Sequence, residues 1–215
     1  MTRKQLCRWI DEHFVSNGGN VLTAGQAVRP ELAGLRIYEK PLVGTGSAAD
    51  PLFGELKREG VVGPWHMGPQ EWLPGAQSVV SLFFPFTDEV KTSNAGRPDE
   101  PSAEWLHGRI EGQAFLSALL SELCQWLRAQ GIKACAPSID PRFASITGGK
   151  SRLGDPRISA DTFGSNWSER HAAFICGLGT FGLSKGLITK KGIAGRFGSV
   201  IVDCTLEPDV RPYTD

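Results

Sequence analysis

Residues 166–203 read NWSERHAAFICGLGTFGLSKGLITKKGIAGRFGSVIVD, and this run constrains the fold more than any other part of the chain. Four glycines, Gly177, Gly179, Gly182 and Gly186, fall within ten positions. Glycine lets the main chain turn left-handed, or approach another group where a Cβ would collide. Asn166 and Glu169 stand at capping-box spacing, which predicts a helix through Cys176 that Gly177 terminates. Leu187-Ile188-Thr189 and residues 197–202 read as two strands of a hairpin around a turn at 190–192.

The spacing of Gly177, Gly179 and Gly182 also matches G-x-G-x-x-G. A dinucleotide site needs a strand before the first glycine and a helix after the last, so that phosphate meets a helix N-terminus. Here the order is reversed, which argues against a Rossmann site. Two readings of the turn remain. It is a bare helix-to-strand connection, or its free amides and Lys185 hold a phosphate- or amide-bearing cofactor.

Upstream, Thr2 caps a first helix with Leu6, Trp9, Ile10 and Phe14 at the helical period, and Asn17-Gly18-Gly19 ends it. Asp50-Pro51 opens a short helix with Leu52, Phe53 and Leu56 on one side and Gly60 as its stop. Residues 64–75 read as a loop carrying Trp65, His66 and Trp72, and 77–84 as a buried strand. Residues 87–101 are polar, with two prolines, and suit a mobile loop or lid. The longest helical pattern covers 102–130, with Trp105, Ile110, Phe115, Leu119, Leu120, Leu123, Trp126 and Leu127 on its apolar face. Residues 132–136 suit a short strand, and 138–162 a loop with turns at Gly148-Gly149 and Gly154-Asp155-Pro156.

A chain of 215 residues can bury a large core. Residues 1–206 are expected to form one domain and 207–215 an exit linker. A net charge of +0 and pI near 6.9 provide no whole-molecule attraction for nucleic acid or anionic lipid. No signal peptide or membrane span is visible, so cytoplasm is the expected location. The five cysteines are scattered, and the four histidines show no ligand spacing, so no metal site is expected in this chain.

Glu169-Arg170, then Gly177-Leu178-Gly179, an aromatic residue, Gly182, Lys185 and Leu187-Ile188 resemble the ER…AGLGxxGKNxLLI segment of the epoxyqueuosine reductase and reductive dehalogenase superfamily. Leu73-Pro74-Gly75-Ala76-Gln77-Ser78-Val79-Val80 is similar to its LPGARSVI strand entry. Gly108-Arg109 falls where a GRDYH motif is expected, and Gly198-Ser199 precedes a similar apolar strand. The resemblance implies an α/β (α+β) fold, a nitroreductase-like three-layer sandwich with a central mixed sheet flanked by helices. It further implies cobalamin as cofactor, with 4Fe-4S clusters in a C-terminal domain or a separate ferredoxin-like donor.

Carried over residue by residue, Gly177, Leu178, Gly179, Phe181, Gly182, Leu183, Ser184 and Lys185 would bind that cofactor. Asp161 and Tyr38 are the candidate catalytic proton donors. The substrate would be a small molecule or a tRNA-borne group, and a homodimer is compatible with the sequence. The pattern departs from the family in three places. The CxxCxxCxxxCP runs are absent, Ile110-Glu111-Gly112 stands where Asp-Tyr-His follows Gly-Arg, and Phe163 occupies the aspartate position six residues before Glu169. These departures point to a divergent substrate. They leave open a non-catalytic corrinoid carrier, and a flavin-dependent nitroreductase-like enzyme as a further alternative.

Overall fold

The apolar run that begins at Ser78 becomes the centre of the molecule. The computed structural model describes residues 1–97 and 99–212. Its helices are α1 (Arg3–Ser16), α2 (Leu52–Glu55), α3 (Pro69–Trp72), α4 (Asp88–Asn94), α5 (Ala103–Ala129) and α6 (Glu169–Ile175). Its strands are β1 (Leu42–Ser47), β2 (Ser78–Pro85), β3 (Ala134–Cys135), β4 (Ser145–Ile146), β5 (Gly164–Ser165), β6 (Gly179–Phe181), β7 (Leu187–Thr189) and β8 (Gly195–Val202). Strands β1, β2, β8 and β3 form the central sheet in that spatial order, while β4–β5 and β6–β7 are separate two-stranded pairs. All pairings among the described residues are antiparallel.

Successive strand side chains point to opposite faces, and β2 is buried on both. Val80, Leu82 and Phe84 join Leu6, Ile10 and Phe14 of α1 and Leu116, Leu119, Leu120 and Leu123 of α5. Val79 and Phe83 face the other way, toward Ala172, Ala173, Ile175 and Cys176 of α6 and its C-terminal turn. The result is the expected three-layer α/β sandwich, with α1 and α5 on one face of the sheet and α6 on the other, but its central sheet is antiparallel where a mixed sheet was expected.

Strand β2 pairs with β8 along its whole length, from Ser78↔Val202 to Pro85↔Gly195. On the other edge of β8, β3 pairs only with Val202 and Ile201. Residues 195–200 therefore have no second strand partner among the described residues.

Several sequence expectations change. The hairpin around 190–192 is not between 187–189 and 197–202. Strand β7 pairs with β6, so the hairpin turn lies at 182–186, and β8 leaves for the central sheet. Residues 88–94, expected as a mobile loop, are helical because Thr87 Oγ1 caps Val90 N and Val90 is fully buried. The loop expected at 64–75 contains α3. Ile110, placed on the apolar face of α5, is 64% exposed.

The Asn166–Glu169 capping box does not form. The residue before α6 is Ser168, and buried Asn166 instead accepts from Ala144 N and donates to Arg142 O, bracketing the preceding loop.

The segment expected as an exit linker is tied to β1 at its start. Asp209 N donates to Thr45 O, Thr45 N donates to Asp209 Oδ2, and Arg3 and Arg211 pair with Asp209 and Asp50. Residues 213–215 of that segment lie outside the described residues.

Close approach of β1 to the end of α6 needs a bare backbone at Gly44. A Cβ there would fall 2.3 Å from Cys176 O and 2.8 Å from Leu178 Cγ. Gly44→Ala is expected to destabilise the protein by roughly 1–3 kcal/mol, read as a lower urea midpoint. An unchanged midpoint would mean that β1 and α6 do not meet in this way.

Candidate active site

The segment from α6 to β8 separates two cavities. The first, of about 580 Å³, lies beside Gly177, Leu178 and Gly179 and is closed by Arg3, Gly44 and Asp209. The second, of about 700 Å³, lies against the unpaired stretch of β8. Gln113 and Ser117 of α5 wall one side, and Glu169 and Arg170 of α6 another. Ser138, Phe143, Gly186, Leu187, Ile193, Gly195, Arg196 and Phe197 complete the lining. Only the second cavity gathers polar side chains that lack partners, and perturbed titratable groups in a cleft mark candidate sites.

Glu169 is the first of them. Both carboxyl oxygens are buried and, among the described residues, neither has a hydrogen-bond partner. Burial pushes this carboxyl up to about 7, against the weaker opposing pull of Ser199, Trp167 and Ser138 nearby. None of those three satisfies it in hydrogen-bond geometry, and Trp167 Nε1 donates to Ser199 Oγ instead, at 3.0 Å. Ser138 Oγ, on the same cavity, is also buried without a partner.

Arg196 is the second. Its Nε and Nη2 donate to Gln113 Oε1 at 3.2 and 2.5 Å, and Gln113 Nε2 donates onward to Ser117 Oγ. Among the described residues, no carboxylate pairs with it. Burial lowers its affinity for the proton, the neighbouring Tyr38 opposes this, and the charge of Arg109 adds to it. A half-buried guanidinium held only by a neutral amide is unusual, because buried charges are normally paired.

Behind Trp167 lies a third orphan. His66 is 2% exposed, stacks on Trp167 at 5.7 Å, and has no partner at either ring nitrogen. Burial, followed by the charges of His171 and Lys57, lowers it to about 4, so the ring is neutral at physiological pH.

The residues singled out from sequence are dispersed. Gly177, Leu178 and Gly179 line the first cavity. Gly179 is needed for the hairpin itself, since a Cβ there would fall 2.1 Å from Ile188 O. Phe181 packs against His171 with the rings tilted and their centroids 4.9 Å apart. Gly182, Ser184 and Lys185 make the turn, with Lys185 N donating to Gly182 O and Lys185 at φ +58. Leu183 at the tip is fully exposed.

Asp161 is exposed in its loop and lines neither cavity. Tyr38, the other candidate proton donor, also lines neither cavity. It is completely buried, stacked on Phe86, with its hydroxyl donating to Gly108 O and burial pushing its proton affinity well up. Sequence reasoning misses Glu169 and Arg196 as candidate site residues: Glu169 stands at helix-cap spacing, and no local pattern singles out Arg196.

Because the folded-state affinity of Glu169 for its proton is raised, the native state binds more protons than the unfolded chain between about pH 4.5 and 7. Stability should therefore fall as pH rises through that window, by up to ~3 kcal/mol for this group alone. His66 acts with the opposite sign, losing stability as pH falls from 6.5 toward 4. Urea unfolding of wild type and Glu169→Gln at pH 5 and pH 8 separates the two. The variant should gain relative to wild type at pH 8, and an equal difference at both pH values would refute a raised Glu169.

No family model matches the chain, and no curated protein does. Solved structures do match in fold. A selenomethionine-labelled epoxyqueuosine reductase is 14% identical with a TM-score of 0.53, covering 98% of this chain and 48% of its own. An epoxyqueuosine reductase bound to an epoxyqueuosine-modified tRNA-Tyr stem loop is 16% identical with a TM-score of 0.51, covering 98% and 48%. The Bacillus subtilis epoxyqueuosine reductase, with its catalytic aspartate loop swung out of the active site, is 16% identical with a TM-score of 0.52, covering 99% and 49%. The fold of this chain is thus similar to that of epoxyqueuosine reductases, and the chain spans about half the length of those structures.

Proposed function

We propose that this chain forms the corrinoid-binding domain of an oxidoreductase similar to epoxyqueuosine reductases. The observation that carries the proposal is the buried, unpartnered Glu169 carboxyl in a cavity walled by Gly186 and Leu187 of the family-like segment. The shared fold supports it, as does the run of glycines ahead of Lys185.

The residues present fit such a cofactor. Leu187, Phe197, Phe143 and Ile193 supply an apolar wall, and Leu183 and Ile193 leave apolar surface in solvent for a large flat ligand to cover. A cavity of about 700 Å³ encloses only part of a tetrapyrrole-sized molecule. The remainder would be covered by the other half of a longer protein or by a partner. Bound there, the corrinoid would supply a low-potential metal centre, with electrons delivered by iron–sulfur clusters outside this chain.

This chain's own contribution is binding and proton handling. The hairpin tip at 182–185 would carry the edge of the cofactor, with Lys185 offering its ammonium to a phosphate or amide. Glu169, whose carboxyl is buried beside the cavity, would hold a proton at neutral pH, the role that exposed Asp161 is not placed to play. The substrate, small or carried on tRNA, would enter from the open side of β8. No helix among the described residues is long and apolar enough to cross a membrane, and the reading places the protein in the cytoplasm.

Mixing the purified chain with hydroxocobalamin should shift its absorption bands through altered axial ligation. Leu183→Glu should weaken that binding while changing stability by less than ~0.5 kcal/mol, because the side chain packs against nothing in the domain. An unchanged spectrum together with binding of FMN would replace the corrinoid reading by a flavin one.

A further inference from the structure

Among the described residues, the cavity beside β8 contains a cation with no carboxylate partner and an acid with no hydrogen-bond partner. Arg196 spends two contacts on one neutral oxygen of Gln113, leaving N–H donors free, and Arg109 adds further positive charge close by. Arg170 lines the same space, with one guanidinium nitrogen engaged by Lys185 O. The unsatisfied Ser138 hydroxyl contributes another donor. The groups facing Glu169 are Ser138 from the turn at 137–139, Trp167 and Ser199, and Cys176 on its own helix. None of these carries positive charge, and the pull of the polar neighbours toward the ionised form of Glu169 is outweighed by its burial. With Glu169 protonated, the cavity is net positive and lined by donors. With Glu169 ionised, a negative charge stands buried without a partner, which is costly.

We propose that this cavity is an oxyanion site in which Arg196 holds the carboxylate or phosphate group of a small ligand and Glu169 takes up a proton as that anion binds. The anion supplies the counter-charge that Arg196 lacks. Protonation of Glu169 removes the buried negative charge that would repel the anion. The two events are linked, because an anion in the same cavity favours the neutral carboxyl. The inference rests on the proposed reading of this cavity as the ligand site, and not on what cofactor occupies it.

The test is calorimetric titration of the corrinoid-free chain at pH 7.5 with acetate, for the carboxylate group, and with sulfate, which stands in for phosphate and does not itself titrate there. Each titration is run in two buffers of different ionisation heat, so that proton uptake appears as a buffer-dependent enthalpy. At least one anion should saturate with roughly millimolar affinity and with proton uptake. Arg196→Gln should weaken it by about tenfold or more. Glu169→Gln should keep binding but lose the buffer dependence. Near-ultraviolet circular dichroism checks that each variant is folded. Arg196→Lys serves if the glutamine variant is not, since it keeps the charge but loses the planar fork and should still bind several-fold more weakly.

Absence of saturation by both anions, or equal binding in the Arg196 variants, overturns the site. Saturation without proton uptake overturns the role of Glu169. Because no corrinoid is present, these failures are distinct from an unchanged hydroxocobalamin spectrum.

Discussion

The structure depends on the uneven pairing of β8. Along one edge it is matched residue for residue with β2, buried on both faces between α5 and α6. Along the other, pairing stops after Val202 and Ile201. An unpaired strand edge exposes backbone groups that must find water, a ligand or another chain. Here α5 and α6 stand on either side of that edge and a cavity opens between them. The cavity therefore follows from a short β3 and not from any single loop.

Several buried polar groups, at this edge and beyond it, lack the partners that charged groups on the surface find. Elsewhere exposed charges are paired in ordinary surface contacts such as Lys40–Asp11 and Arg58–Glu55. Near Trp167, by contrast, Glu169, His66 and Ser138 are buried without partners, and Arg196 leans on an amide. Each such group costs stability when left unsatisfied. Violations of this kind concentrate where a protein binds or reacts, because local stability is given up for function.

Much of the scaffold was legible in the sequence, and the reasons are local. Thr2 and Gln5 form the capping box of α1, and Leu6, Trp9, Ile10 and Phe14 are its buried stripe. The period of α5 and the apolar run of β2 likewise announce themselves. What was not legible depends on distant partners. The strand at 197–202 looks like half of a hairpin until β2, more than a hundred positions earlier, is seen to claim it. Arg196 is one arginine among several until Gln113, 83 residues away, fixes it beside a cavity. Glu169 sits at the spacing of a helix cap, so its local signal pointed to structure. The glycines of 177–186 suit a bare connection or room for a ligand equally well in sequence, and at Gly179 the room is filled by the neighbouring strand.

The most direct measurement is the protonation of Glu169 itself. Infrared difference spectra of wild type against Glu169→Gln, recorded from pH 5 to 9, isolate its carboxylic C=O stretch. A band that persists to neutrality and titrates near 7 would support the buried, unpartnered acid at the open edge of β8. A band lost by pH 5, as for an ordinary glutamate, would mean that the carboxyl is solvated or paired and that the cavity is not the site described.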